Sequence, residues 1–338
     1  MPMVVAVPQH QPPLMHGRQI PQQAQQCHRI LATRHRDHQC FALGEQVWGC
    51  EQPLVQPVMP GGPGQQLGAT FLHGVRIRAS LSSPMSRLQQ LPVALQRSLE
   101  QRSTLKVIAG LMNFDADSVG RVARAAGRGG ADLIDVACDP ALVALAIEAS
   151  GGVPICVSSV EPELFSAAVS AGAAMVEIGN YDAFYPQGRI FGSAEVIELT
   201  RRTRSLLPEV VLSVTVPHVL PMDEQEQLAI DLVAAGADLI QTEGGTSAKP
   251  FSAGSLGLIE KAAPTLAAAH SISRVSTVPV VCASGLSAIT VPMAIAAGAA
   301  GVGVGSAVNR LNDELAMVAV VRGLREALSS SSCVRVSV

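Results

Sequence analysis

The chain has 338 residues, of which 48% are hydrophobic and only 3% aromatic, and its formal net charge is −3. The mild negative charge and the scarcity of rings argue against nucleic-acid binding, which needs a basic surface and side chains that stack on bases. No apolar run reaches the roughly 18 residues of a membrane span, and the seven cysteines form no C-x-x-C pair. The composition therefore predicts a soluble protein with reduced thiols and an aliphatic core of buried parallel strands.

Residues 1–84 differ in composition from the rest of the chain. They contain six of the eight histidines, thirteen glutamines, three acidic residues and no lysine, and no hydrophobic period persists in them. We interpret this segment as upstream sequence translated from too early a start, with Met85 as the true start. A disordered interaction tail and a transit peptide are the alternatives, although transit peptides are richer in serine and amphipathic.

An N-terminal helix is predicted within residues 85–104, and after it short β-rich runs alternate with amphipathic helical segments. Several of these helices end in Ala-Gly-Ala, where glycine suits a left-handed residue before a short loop. Eight consecutive βα units with right-handed crossovers predict an α/β fold, a single (β/α)₈ TIM barrel over residues 105–328 with a tail at 329–338. An open doubly wound sheet is disfavoured because no G-x-G-x-x-G follows the first strand. The predicted strands are 105–112, 133–138, 153–158, 175–180, 210–216, 238–242, 278–283 and 301–305.

Three acidic residues lie in or just after predicted strands, where the catalytic residues of TIM barrels are found. Asp135, Glu177 and Glu243 belong to the second, fourth and sixth strands. A buried carboxylate without a partner costs several kcal/mol, so each must be paired, hydrated or turned toward a ligand. We predict catalytic roles for them, with Glu243 first. A structural network inside the barrel is the alternative.

Two basic side chains follow strand ends. His218 comes just after the fifth strand, where it suits a general acid or base near neutral pH. Lys249 follows the sixth strand and is predicted to contact an anion or act as a general acid, against the alternative of a solvated loop charge. A Schiff-base lysine is disfavoured, since Lys106 is predicted to lie at the wrong end of its strand. No H-x-H or H-E-x-x-H arrangement is present, so the sequence predicts no metal site.

Glycine and serine recur after the last three strands. In many TIM barrels the loops after strands seven and eight present backbone N–H groups to a phosphate. Glycine lets the backbone approach an anion closely, and serine adds a hydroxyl donor. Close packing of helix against strand is the alternative explanation. The predicted phosphate-binding residues are Gly244, Gly245, Ser284, Gly285, Gly305 and Ser306.

Several segments together resemble a known family. They include residues 105–115 (LKVIAGLMNFD), 177–182 (EIGNYD), 213–218 (SVTVPH) and 241–245 (QTEGG). Across residues 87–328 the chain resembles the hypothetical chloroplast reading frame twenty-three proteins of red-algal plastids and cyanobacteria. The resemblance implies a barrel located in a cyanobacterial cytosol or a plastid stroma. It brings no established activity and therefore no catalytic residue.

Three functional hypotheses remain open at the level of sequence. The first is an enzyme acting on a small phosphorylated metabolite, an isomerase, epimerase or lyase. The second is an oxidoreductase that uses flavin mononucleotide (FMN) as cofactor, held at the same phosphate site. The third is a non-catalytic barrel that binds a metabolite as a regulator. The sequence makes no prediction about the substrate or the oligomeric state.

Overall fold

Eight parallel strands form a closed barrel. The computed structural model describes residues 87–245 and 248–333. Each strand pairs with the next in chain order, and the eighth pairs with the first, so the TIM-barrel prediction is confirmed. The strands are β1 (Thr104–Gly110), β2 (Leu133–Ala137), β3 (Ile155–Ser159), β4 (Met175–Ile178), β5 (Val211–Thr215), β6 (Leu239–Gln241), β7 (Val280–Ala283) and β8 (Gly301–Val304).

Helices connect the strands and surround the barrel. They are α1 (Val93–Glu100), α2 (Ala116–Gly129), α3 (Pro140–Ser150), α4 (Phe165–Ser170), α5 (Ser193–Leu206), α6 (Met222–Ala235), α7 (Gly254–Val275), α8 (Val291–Ala296), α9 (Ser306–Asn309) and α10 (Glu314–Cys333). Helix α10 continues past residue 328, where the barrel was predicted to end. The predicted leader at 1–84 and the end of the tail at 334–338 lie outside the described residues. In the part of the chain that is described, no helix is long and apolar enough to cross a membrane.

Local sequence signals explain where the helices begin and end. Helix α2 begins after Asp115, whose carboxylate accepts a hydrogen bond from the backbone N–H of Asp117 at 3.0 Å, because the first N–H groups of a helix have no partner within it. Helix α6 ends at Gly236, the glycine of an Ala-Gly-Ala segment, with φ at +112°. This left-handed conformation is the one predicted from the sequence.

Helix α1 closes the N-terminal face of the barrel. Its side chains Leu95 and Leu99 are 2% and 7% exposed and pack against the inward-facing Leu133, Met175 and Leu239 at the starts of their strands. Burial of each leucine contributes about 1.5–3 kcal/mol. Because apolar packing closes this face in the described part of the chain, the C-terminal ends of the strands form the open face of the barrel.

A buried ion cluster fixes the chain just before α1 to the barrel. Arg87 Nε lies 2.8 Å from Asp238 Oδ1, and Arg204 Nη2 lies 2.7 Å from Asp238 Oδ2. Burial raises the pKa of Asp238, although the backbone N–H of Leu212 and the two guanidinium groups oppose the rise. The cluster lies at the closed face and has a structural role.

Candidate functional site

The barrel interior contains a buried charged group, here called the interior cluster: Lys106, Asp135, Glu177 and Gln241. Lys106 Nζ lies 2.7 Å from Asp135 Oδ2 and 2.7 Å from Glu177 Oε2, and donates to Gln241 Oε1 at 3.0 Å. All four side chains are at most 2% exposed. Each carboxylate also accepts a hydrogen bond from a hydroxyl group: Ser158 donates to Asp135 at 2.7 Å, and Ser213 donates to Glu177 at 2.8 Å.

The interior cluster gives Asp135 and Glu177 partners inside the protein, and neither is among the residues that line the cavity described below. Burial raises the pKa of Glu177, and Asp135 raises it further, while the Lys106 ammonium opposes the rise. The carboxylates raise the pKa of Lys106 above its ordinary value despite burial, so its amine stays protonated and unsuited to nucleophilic attack. This geometry fits the structural network that was the alternative explanation for these acids. Lys106 is the third residue of β1, toward the N-terminal end of the strand as expected, and its side chain reaches the acids in the barrel interior.

A second group lies at the open face and is here called the mouth cluster: Asp182, Tyr185, His218 and Glu243. Glu243 Oε1 accepts hydrogen bonds from the Tyr185 hydroxyl and from the backbone N–H of His218 at 3.2 Å, and it lies 3.1 Å from His218 Nδ1. Asp182 Oδ1 lies 3.8 Å from the same ring nitrogen. These residues come from the segments after β4, β5 and β6, three neighbouring strands.

The surroundings of the mouth cluster raise the pKa values of both Glu243 and His218. Burial raises the pKa of Glu243, the charge of Asp182 raises it further, and hydrogen bonds from His218 and Tyr185 oppose the rise. Burial alone would lower the pKa of His218, but its hydrogen bond to Glu243 and the charges of Glu243 and Asp182 raise it overall. A carboxyl group and an imidazole with raised pKa values, in contact with one another beside a cavity, are candidates for proton exchange with a ligand.

A cavity of about 350 Å³ opens at the C-terminal strand ends. Glu243 and Asp182 line one part of it, and four of the six predicted phosphate-binding residues also line it: Ser284, Gly285, Gly305 and Ser306. Within the described residues, the backbone N–H groups of Gly285, Gly305 and Ser306 donate to no protein acceptor. The exposed side chain of Arg310 lines the same cavity. This part of the cavity therefore combines hydrogen-bond donors with a positive charge.

The sequence of the chain is similar to those of known proteins. Residues 90–334 match the family described as protein of unknown function, DUF561. The chain belongs to that family. The uncharacterized protein ycf23 of Cyanophora paradoxa is 41% identical over 234 residues, covering 69% of this chain and 96% of the relative. The protein of the same name from Pyropia yezoensis is 38% identical over 227 residues, covering 67% and 83%. The resemblance predicted from the sequence is confirmed.

Solved structures resemble the chain in fold. A crystal structure of 3-hexulose-6-phosphate synthase matches with a TM-score of 0.47 and 17% identity, over 66% of this chain and 99% of the other. A thiamine phosphate pyrophosphorylase from Pyrococcus furiosus matches with a TM-score of 0.46 and 17% identity, over 69% and 98%.

Asp135, Glu177 and His218 do not line the cavity, and the same holds for three further residues of the predicted site: Gly244, Gly245 and Lys249. A Cβ atom on Gly245 would lie 2.3 Å from the Cα of Gly285, and one on Gly244 would lie 3.0 Å from Pro264, so close packing accounts for both glycines. Lys249 is exposed in the loop after β6. The cavity lining thus brings together Glu243 and the four predicted residues after β7 and β8. His218 is not part of the lining but contacts Glu243 through its ring nitrogen Nδ1.

Sequence reasoning missed Asp182, Tyr185 and Arg310. Asp182 and Tyr185 lie in two short 3₁₀ turns after β4, Tyr181–Ala183 and Tyr185–Gln187, and Arg310 directly follows α9. The available signal was position, because all three come soon after a strand's C-terminal end. Their residue types alone do not separate them from ordinary loop residues.

Proposed function

We propose that the cavity binds a small phosphorylated metabolite, with its phosphate at the loops after β7 and β8 and its carbon skeleton beside the mouth cluster. The observation that carries this proposal is the division of one cavity into a donor-rich part and an acidic part. A volume of about 350 Å³ lies at the lower end of the range of ligand pockets, roughly 300–1,000 Å³, and therefore favours a compact ligand.

The phosphate subsite is supported by the loop geometry. Gly285 adopts φ of +73° and Ser284 adopts φ of +78°, a conformation that is uncommon for a residue with a side chain. Turn conformations can direct neighbouring backbone N–H groups into one concavity, which is how some anion-binding loops are built. Arg310 supplies a guanidinium group, the side chain best matched to phosphate oxygens.

The reaction class that fits the mouth cluster is proton transfer, as in an isomerase, an epimerase or a carbon–carbon lyase. Glu243 Oε2 belongs to a side chain that lines the cavity and accepts no hydrogen bond from the described residues, whereas Oε1 is held by Tyr185 and His218. A carboxylate held on one oxygen and unpaired on the other is oriented to remove a proton from a ligand. His218 is placed to stabilise the charge of Glu243 or to relay a proton through it.

Thermal unfolding in the presence of inorganic phosphate and a panel of three- to six-carbon sugar phosphates tests the proposal. We expect the unfolding temperature to rise with ligand concentration, because a ligand that binds only the folded state stabilises it. Arg310→Gln removes one charge-assisted contact worth about 1.5–3 kcal/mol, which weakens binding by roughly 10- to 150-fold. Arg97→Gln, an equal loss of charge on the exposed surface of α1 at the closed face, should leave binding unchanged.

The alternatives give different results in the same experiment. If the protein is an FMN-dependent oxidoreductase, the purified protein should be yellow, or FMN should stabilise it more than phosphate does. The described cavity lining contains no aromatic side chain. A non-catalytic regulatory barrel would bind the metabolite equally, so Glu243→Gln separates the two cases in a deletion strain. Failure to complement supports an enzyme, and full complementation supports a regulator. The predicted compartment, a cyanobacterial cytosol or a plastid stroma, stays a prediction.

A further inference from the structure

Two sets of metal-ligand side chains lie in the barrel, one above the other. Asp135, Cys156 and Glu177 form the lower set, and Asp182, His218 and Glu243 form the upper set. In each set one ligand atom from every residue lies within 4.8 Å of those of the others. The lower set has a built-in cation, because Lys106 Nζ lies 2.7 Å from both of its carboxylates. In the upper set no lysine or arginine of the described residues forms an ion pair with Asp182 or Glu243.

The upper set also carries buried oxygen atoms without protein partners. Glu243 Oε2 and Asp182 Oδ1 are both buried and accept no hydrogen bond from the described residues. The Glu243 side chain is 4% exposed, so more than nine-tenths of it is removed from solvent. Two neighbouring carboxylates repel each other, and a proton, the adjacent His218 ring or a bound cation can relieve that repulsion. The hydrogen-bonding capacity of the two unpartnered oxygens is left for a ligand. Both belong to residues that line the cavity.

We propose that Asp182, His218 and Glu243 bind one divalent cation. His218 Nδ1 lies 3.1 Å from Glu243 Oε1 and 3.8 Å from Asp182 Oδ1. Ligand atoms about 2.0–2.2 Å from a common ion lie roughly 3–3.6 Å apart, so small side-chain movements suffice. Binding places the imidazole proton on Nε2 and leaves Nδ1 as the ligand atom. The Tyr185 hydroxyl, which donates to Glu243 Oε1, orients that carboxylate as outer partners of metal ligands do.

The donor set indicates the kind of ion. Two carboxylates suit Mg²⁺, Ca²⁺ and Mn²⁺, while an imidazole favours transition metals. Mn²⁺ satisfies both preferences and is therefore the probe of choice. A bound cation polarises a substrate oxygen and lowers the pKa of a water that it holds. The acidic part of the cavity would then keep its capacity for proton transfer, with Glu243 and His218 acting through the ion.

Mn²⁺ titration of the full chain, followed by the electron paramagnetic resonance signal of the free ion, tests the site. The leader contains six histidines that can bind metal by themselves, so the decisive quantity is the difference between variants that share this leader. We expect wild type to bind one more equivalent than Glu243→Gln or Asp182→Asn, or to bind the same equivalent more tightly by at least the roughly 10- to 100-fold that loss of an outer partner costs. The matched control is Glu161→Gln, an exposed carboxylate in the loop after β3, which should titrate like wild type.

Identical Mn²⁺ titrations for wild type and both cluster variants would overturn the proposal, provided that their denaturation midpoints show folded proteins. The titration is run without phosphate, so it is independent of the proposed function. Loss of phosphate stabilisation with Mn²⁺ binding retained would refute only the phosphorylated-ligand proposal. Phosphate stabilisation with identical Mn²⁺ titrations would refute only the cation site.

Discussion

Replacement of Lys106 by methionine tests whether the interior cluster is structural. The methionine keeps most of the aliphatic volume and removes the ammonium group, which lies 2.7 Å from Asp135, 2.7 Å from Glu177 and 3.0 Å from Gln241. Two carboxylates then remain in the interior without a counterion. Breaking a buried ion pair from one side costs about 3–5 kcal/mol. This is a large part of the roughly 5–15 kcal/mol by which a typical domain is stable.

Urea denaturation of wild type, Lys106→Met and Lys106→Met/Glu177→Gln measures this loss. The double variant should recover part of the stability, because glutamine removes one of the two uncompensated charges. The loss should also depend on pH. Glu177 already has a pKa raised above its ordinary 4.5, and removal of the ammonium raises it further. The folded state then binds a proton that the unfolded state releases, so stability falls as pH rises above about 4.5.

The deficit of Lys106→Met relative to wild type is therefore expected to grow as the pH rises above about 4.5, and it is to be measured from about pH 5 to about pH 8. A deficit below about 1 kcal/mol at pH 7.5 would refute the assigned role of Lys106. So would a deficit that is constant across this pH range, since uncompensated carboxylates must be easier to bury when protonated.

Three further predictions concern the backbone and the leader. Gly323→Ala in α10, where an added Cβ meets nothing within 4 Å, should raise the free energy of unfolding by about 0.5–1 kcal/mol; a loss would show that the helix surface is packed. Gly245→Ala should lower the free energy of unfolding by about 1–3 kcal/mol and weaken the stabilisation by phosphate, because the added Cβ would lie 2.3 Å from the Cα of Gly285. The control is Gly192→Ala, whose Cβ meets nothing within 4 Å; equal losses in this control would contradict crowding as the cause. A chain that starts at Met85 should keep the denaturation midpoint of the full chain, and a lower midpoint would contradict the interpretation of residues 1–84 as a leader.

The fold could be predicted because its signals are local and repeated. Buried parallel strands show as short aliphatic runs, and the helices between them show the 3.6-residue period. In α2 the helical spacing selects Val119, Val122, Ala123 and Ala126 as one face, and all four side chains are fully buried. The ends of the strands are harder to predict than their centres. The predicted sixth strand, 238–242, is longer than β6, which has three residues, Leu239–Gln241.

The candidate site could be predicted only in part, because the order of strands in the sequence does not show how far along the barrel axis each inward-facing residue lies. Asp135 and Glu177 lie in the third positions of β2 and β4, whereas Glu243 lies two residues beyond β6. Inward-facing residues at these heights belong to different layers of the interior. Asp135 and Glu177 therefore form ion pairs with Lys106, which lies toward the N-terminal end of β1. Glu243 lies higher and lines the cavity.

Ser284 links the two parts of the cavity. Its hydroxyl donates to Asp182 Oδ2 at 3.2 Å, while the neighbouring Gly285 lines the part of the cavity proposed to bind phosphate. A residue with a side chain pays about 1–2 kcal/mol in the left-handed region, and such strain persists only where the surroundings hold it. The backbone contact between Gly285 and Gly245 and the hydrogen bond to Asp182 hold it here. An acid proposed to bind a cation and a loop proposed to bind an anion are thus fixed by one strained segment, so occupation of either part should stabilise the geometry of the other.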